Sequence, residues 1–105
     1  MSTHVEHTIP ATNGVHLIPV NSNANLSITP TVHSSGTYTA GTLVYRARAY
    51  GATEYETLSP NSSSLVSGSR QTISIVGQPI SHIEVTVASF AGTADTIAFS
   101  VNDWE

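Results

Sequence analysis

The chain has 105 residues, with seven acidic and three basic side chains, no lysine, no cysteine and a net charge of −4 when histidine is neutral. This length provides for one hydrophobic core, so we expect a single domain over residues 1–105, and the acidic balance leaves no basic patch for nucleic acid. We also expect no disulfide, no membrane segment and no signal peptide, because no long apolar run occurs and the polar start MSTHVEHTIP places the mature N-terminus near Met1.

Small hydroxyl side chains dominate the polar composition. Fifteen serines and fourteen threonines make up 29 of the 105 residues, while only 10% of the residues are charged. Such side chains lose little conformational entropy when another protein covers them, which favours a packing role. Threonine is also simply a good strand residue.

Period-two alternation between turn signals predicts about eight strands and no helix. In chain order the predicted strands cover roughly residues 4–9, 15–20, 25–32, 42–50, 54–58, 71–76, 80–88 and 95–102. The Ser-Pro-Asn-Ser-Ser-Ser segment at 59–64 is predicted to be a loop from its composition. The expected fold is therefore all-β, an eight-stranded antiparallel β-sandwich of jelly-roll type.

The same alternation predicts the hydrophobic core. We expect eight residues in the second half to be buried, namely Ile73, Ile75, Ile83, Val85, Val87, Ile97, Phe99 and Val101. On the strand 42–50, Tyr45 and Ala47 point to the core, whereas Arg46 and Arg48 lie on the opposite face.

The hairpin after Tyr50 can be predicted from the cost of burying carboxylates. A two-residue loop would place Glu54 and Glu56 on the core face, and burying even a neutral polar group costs roughly 2–7 kcal/mol. A three-residue loop at 51–53 instead pairs Tyr50 with Glu54 and Arg48 with Glu56. It also sends Tyr55 to the core and leaves the Leu58 side chain facing outward.

No group of residues forms a recognisable catalytic or metal-binding motif. His4 and His7 are three apart on a strand and point to opposite faces, so they are poorly placed to share an ion. Glu54 and Glu56 have a spacing of about 7 Å that glycosidase carboxylates could use, but the neighbouring arginines favour an ion-pair patch. We find no nucleophile elbow and no nucleotide motif, and expect no catalytic, cofactor-binding or metal-binding residues and no enzyme activity.

Aromatic side chains supply the remaining candidates. The residues that could stack on a sugar are Tyr38, Tyr45, Tyr50, Tyr55 and Trp104. Of these, Tyr45 and Tyr55 belong to the predicted core. Trp104 either caps the sandwich or inserts into a neighbouring subunit. We therefore take Trp104, Leu58 and Tyr50 as candidate interface residues.

The second half of the chain carries a series of short motifs. In order they are Gly-Thr-Leu at 41–43, Tyr-Glu-Thr-Leu at 55–58, Thr-Ile-Ser-Ile at 72–75, Gly-Gln-Pro-Ile at 77–80, Ile-Glu-Val-Thr-Val at 83–87, Gly-Thr-Ala-Asp at 92–95 and Val-Asn-Asp-Trp at 101–104. With these motifs, residues 41–104 resemble the small β-sandwich virion proteins of tailed bacteriophages, and most of all a capsid decoration, or cement, protein.

The resemblance implies a non-enzymatic virion protein on the capsid surface that clamps neighbouring capsid subunits. The implied partners are the major capsid protein and further copies of the chain, commonly as a homotrimer, and no cofactor is implied. Residues 1–10 would then serve as an N-terminal arm, because Pro10 limits how far they could continue as an inner strand. Two alternatives stay open, a tail, neck or fibre component of the virion and a carbohydrate-binding module.

Overall fold

The computed structural model describes residues 2–22, 24–31, 36–66 and 70–104, and the side chains of these residues except at 2, 3 and 57–61. Eight strands and no helix occur in these ranges. The strands are β1 (Ser2–Pro10), β2 (Gly14–Ser22), β3 (Asn25–Thr31), β4 (Tyr38–Ala49), β5 (Glu56–Ser64), β6 (Ile73–Ile75), β7 (Ile80–Gly92) and β8 (Thr96–Trp104). All of the predicted strands are present, although several are longer or shorter than predicted.

The strands form two four-stranded sheets with a regular pairing order. The first sheet has the order β1-β8-β3-β6 and the second has the order β2-β7-β4-β5. Antiparallel pairing joins β1 to β8, β2 to β7, β3 to β6 and β4 to β5, so the two halves of the chain pair in reverse order. This is the rolled-up hairpin of a jelly roll, and it confirms the predicted fold class.

The core lies between the two sheets. All eight predicted core residues are buried, with exposed fractions of 8% or less. Phe99 of the first sheet meets Tyr45 of the second edge to face, with ring centroids 6.3 Å apart. Because this contact joins the two sheets, it fixes how they pack. Arg46 and Arg48 lie on the face opposite the buried Ala47, as predicted.

Strand β5 corrects the prediction of a loop at 59–64. The segment belongs to β5, and its last three residues pair with β4, with Ser62 opposite Val44 and Ser64 opposite Thr42. The strand forms because β4 offers it a ladder of hydrogen-bonding groups, and its position at the sheet edge tolerates Pro60. Ser63 is buried there and its hydroxyl accepts a hydrogen bond from the Gln71 amide at 2.9 Å. The loop prediction, which used composition alone, is therefore wrong for this segment.

The predicted register of the β4–β5 hairpin is also wrong. Glu56 lies opposite Ala47 rather than Arg48, and the connection is the six-residue segment 50–55. The carboxylates of Glu54 and Glu56 stay exposed, as the burial argument requires, but a longer loop achieves it. Tyr55 does not reach the core; its ring lies half-buried against the Arg46 and Arg48 guanidinium groups, 5.8 and 5.5 Å away.

The N-terminal residues lie in the first sheet. Strand β1 pairs with β8 along its whole length, from Ser2 opposite Trp104 to Pro10 opposite Thr96. Pro10 ends the strand, and the connection to β2 is only three residues long. The role of residues 1–10 as an arm toward a neighbour stays a prediction.

We expect Phe99→Ala to lower the free energy of unfolding by about 3–5 kcal/mol, because Phe99 is fully buried and no neighbour can fill the space. Urea denaturation followed by circular dichroism measures this. Val76→Ala is the matched control, since Val76 is 72% exposed and its truncation should cost little. A loss near 1 kcal/mol or less for Phe99→Ala would contradict the packing described.

Candidate functional site

One end of the sandwich gathers two of the predicted interface residues and a pocket. We call it the Trp104 end, and it contains Ala24 with the start of β3, the β4–β5 loop (50–55), the β6–β7 turn (76–79) and the end of β8. These segments meet because β2, β4 and β8 end on this side, while β3, β5 and β7 begin here.

Asn25 ties three of these segments together. Its side-chain amide donates to the Trp104 carbonyl oxygen at 3.1 Å, and its Oδ1 accepts from the Gly77 amide at 2.9 Å. The Gln78 amide also donates to the Ala24 carbonyl oxygen at 3.0 Å. The backbone of the Trp104 end is therefore held by hydrogen bonds that a strand pattern does not reveal.

The predicted interface residues are placed as follows. Tyr50 is 49% exposed, and its hydroxyl donates to Asn21 Oδ1 at 3.0 Å. Trp104 is half-buried at the end of β8, between β1 and β3. The structure brings Tyr50 and Trp104 to the same end, while the side chain of Leu58 lies outside the described residues.

A pocket of about 190 Å³ opens at this end. Its lining consists of Ala47, Ala49, Ala52, Glu54, Glu56, Gln78 and Ile80. The alanines leave space because their side chains stop at Cβ, and the two glutamates supply carboxylates to the wall. The pocket can therefore accept a cationic or hydrogen-bond-donating group over a small apolar floor.

The glutamates of the pocket do not form the ion-pair patch that the sequence predicted. Arg46 instead makes a two-point bond to Glu84, with Nε to Oε1 at 2.7 Å and Nη2 to Oε2 at 3.0 Å. The hydrogen bond to Glu84 raises the pKa of the Arg46 guanidinium. Arg48 donates to His82 Nδ1 at 3.0 Å. Among the described residues, Glu54 and Glu56 have no bonded cation.

The arginine cluster lies on the outer face of the second sheet, away from the pocket floor. Arg46 and Arg48 of β4 lie opposite Glu84 and His82 of β7, and the Tyr55 ring covers both guanidinium groups. Because arginine only donates hydrogen bonds, His82 must present Nδ1 as an acceptor, with its proton on Nε2. These contacts hold the guanidinium groups of Arg46 and Arg48 in place on the outer face.

The remaining histidines and the buried tyrosine do not add to the site. His4 and His7 lie on opposite faces of β1, and His4 Nε2 is 2.7 Å from Ser100 Oγ. Within the described part of the chain, no three histidine, aspartate or glutamate side chains are grouped to hold a metal ion. Tyr45 is fully buried in the core, and burial raises its pKa well above the ordinary value.

The pocket was not predicted from the sequence. The signal available was the alternation of Ala47 and Ala49 close to Glu54 and Glu56, since small residues on a core face leave a space that large ones would fill. The contribution of Gln78 could not be foreseen, because it comes from a turn about twenty residues further along the chain.

No family model, curated protein or solved structure matches this chain. Over the described ranges there is also no helix with the length and apolarity needed to span a bilayer.

We expect Asn25→Ala to destabilise the protein by about 1–3 kcal/mol, because it removes the two hydrogen bonds to the Gly77 amide and the Trp104 carbonyl, each of which contributes roughly 0.5–1.5 kcal/mol. Since Trp104 is the sole tryptophan, its fluorescence emission should also shift to the red. Asn25→Asp is the matched variant, because it keeps the acceptor for Gly77 and loses only the donor to Trp104. An unchanged stability and emission for Asn25→Ala would show that the Trp104 end is held by other contacts.

Proposed function

We propose that this protein is a non-enzymatic structural component of a tailed bacteriophage, and that it decorates the outside of the head shell. Its partner in this proposal is the major capsid protein, and its location is the capsid surface of the virion. The observation that carries the proposal is the jelly-roll pairing order, an architecture used by viral capsid domains and by lectins. Analogy of fold alone does not define function, and the resemblance of residues 41–104 to decoration proteins supports the capsid role.

The physical demands on a shell clamp match this chain. A protein that binds only the intact lattice stabilises it by mass action, and needs a rigid body and a contact surface rather than a reactive group. The core between the sheets, with the Tyr45–Phe99 contact across it, provides the rigid body. The many serines and threonines provide a surface that loses little entropy when covered.

The Trp104 end is the proposed docking surface on the shell. Tyr50 is exposed there and Trp104 is half-buried, and large aromatic residues are enriched where protein partners meet. The carboxylates of Glu54 and Glu56 line the adjacent pocket. A basic side chain of the capsid protein would complement this pocket in charge, and would give the contact its direction.

Self-association is part of the proposal. The resemblance implies a homotrimer, assembled on the shell at a local symmetry axis. Copies held together on the shell would gain avidity, since the second and third contacts become intramolecular.

Two other functions compete with the capsid role. A tail, neck or fibre component would have the same fold but far fewer copies in each virion. Carbohydrate binding is favoured by one specific observation, the proximity of the exposed Tyr50 to a pocket with two carboxylates, because lectin sites combine an aromatic face with acceptors for sugar hydroxyls.

The test is the copy number of the protein in purified virions, measured by quantitative mass spectrometry against the major capsid protein. We expect near-stoichiometric abundance. A dozen copies or fewer would move the protein to the tail or neck and contradict the capsid role. Complete absence would remove the virion proposal and leave carbohydrate binding as the stronger candidate.

A binding experiment with isolated shells tests the docking surface. Shells lacking the protein are incubated with the wild type, with Tyr50→Ala and with Val66→Ala. Both residues are exposed, but Tyr50 lies in the Trp104 end, whereas Val66 follows β5 at the opposite end of the sandwich. We expect Tyr50→Ala alone to reduce the bound fraction, and equal binding by all three would contradict docking through the Trp104 end.

A further inference from the structure

The two sheets have four edge strands, and they differ in how their open sides are protected. An edge strand presents unpaired N–H and C=O groups, which proteins usually guard with proline, charge or a short length. Strand β6 has only three residues, β5 contains Pro60, and β1 carries Glu6 and ends at Pro10. Strand β2 has no charged side chain, and its first five residues, 14–18, contain no proline.

The open side of β2 is also apolar. Val15 and Leu17 are 61% and 56% exposed on the outer face of the second sheet. Strand β1 is the neighbouring edge of the first sheet, three residues away along the chain, and it carries Val5 at 50% exposure. Three of the six exposed large hydrophobic residues in the described part of the chain therefore lie on one lateral side.

We propose that β2 pairs antiparallel with β2 of a second copy of this chain, about a two-fold axis at His16. The second sheets of the two copies then form one continuous sheet of eight strands across the axis. This inference rests on the free edge of β2 and is independent of the capsid role. A two-fold dimer differs from the homotrimer of the proposed function, and the mass of the assembled protein distinguishes the two.

Pro19 indicates which residues of β2 face the open side. It lies opposite His82 of β7, and proline has no N–H to give to a ladder. Position 19 therefore faces the open edge, and by the alternation of an antiparallel strand so do the backbone groups of Val15 and Leu17. A two-fold axis at His16 sets Val15 of each copy opposite Leu17 of the other, and these pairs exchange four backbone hydrogen bonds without using Pro19.

The side chains fit the same register. Val15 and Leu17 point to the same outer face, so the four apolar side chains from two copies come together when the strands pair. Such a contact is isologous, which means that one patch is its own partner and no second complementary surface is required.

Local charge does not oppose a contact between two copies at this edge. Each chain has a net charge of −4, so two copies repel one another at long range. Strand β2 contains no Asp, Glu, Lys or Arg, and the glutamate opposite Leu17 on β7, Glu84, is bonded to Arg46 at 2.7 Å. The edge is therefore electrically neutral, which favours a second copy of the same chain as its occupant.

The test uses single cysteines, since the chain has none of its own. In the proposed register the two copies of residue 16 form a non-hydrogen-bonded pair, with Cα atoms about 4.5 Å apart, which is within reach of a disulfide. His16→Cys should therefore give a covalent dimer under mild oxidation. Val15→Cys is the matched control, because its partner position is Leu17 and the two copies of residue 15 are too far apart to be bridged.

A second pair of variants tests the contact without oxidation. We expect the wild type to sediment with twice the monomer mass and Leu17→Lys with the monomer mass. Val76→Lys places the same charge on a residue that is 72% exposed in the β6–β7 turn, and should stay dimeric. Circular dichroism checks that each variant is folded.

Several results would overturn the proposal. A monomeric wild type, a three-chain mass, or cross-linking of Val15→Cys in preference to His16→Cys would each refute the two-fold contact at His16. A wild type that is monomeric alone, and whose β2 amides become protected only when capsid shells are added, would assign the edge to a strand of the capsid protein instead.

Discussion

The reverse-order pairing of the two halves of the chain is the constraint on which the rest of the structure depends. Strands β1 to β4 pair with β8 to β5 in turn, and the further pairs β3–β8 and β4–β7 divide the resulting ladder into two sheets. Each strand must then place one face on the other sheet. This is why the most buried residues recur at every second position in β2, β3, β4 and β6, and why the two sheets meet at Tyr45 and Phe99.

The same pairing decides where contact surfaces can lie. It brings the ends of β2, β4 and β8 together at the Trp104 end, where Asn25 holds the turns and the alanines of β4 leave a pocket. It also leaves β1 and β2 as neighbouring edges on one lateral side. We propose the first surface, with its aromatic and acidic groups, as the contact with a different protein. We propose the second, a strand edge without acidic or basic residues, as the contact with an identical chain.

Much of the fold could be predicted because the alternation is local. The eight core residues from Ile73 to Val101 and the outward direction of Arg46 and Arg48 follow from period two alone. The register of the β4–β5 hairpin could not be predicted, because it depends on which side chains bond to Arg46 and Arg48. Arg46 and Arg48 bond to Glu84 and His82 of β7, which are remote in sequence. Glu54 and Glu56 therefore need not pair with the arginines, and both line the pocket.

Strand β5 and the pocket show a second limit of local reasoning. A run of serines, asparagine and proline has loop composition, yet at a sheet edge it forms a strand because β4 supplies the missing half of the ladder. The pocket is likewise formed by residues from β4, the β4–β5 loop and the β6–β7 turn, and only the fold brings these together. The interface role of Tyr50 and Trp104 therefore stays a prediction, and the acidic wall of the pocket was not predicted from the sequence.

The most direct test of the pairing order is a set of cross-strand nuclear Overhauser effects on the protein in solution. We expect close backbone contacts for one residue pair from each pair of strands, namely Val5 with Val101, Ile18 with Ile83, Ile28 with Ile73 and Ala47 with Glu56. Contacts between strands adjacent in the sequence, such as β1 with β2 and β2 with β3, in place of these pairs would indicate an up-and-down meander. That result would contradict the rolled hairpin and, with it, both proposed contact surfaces.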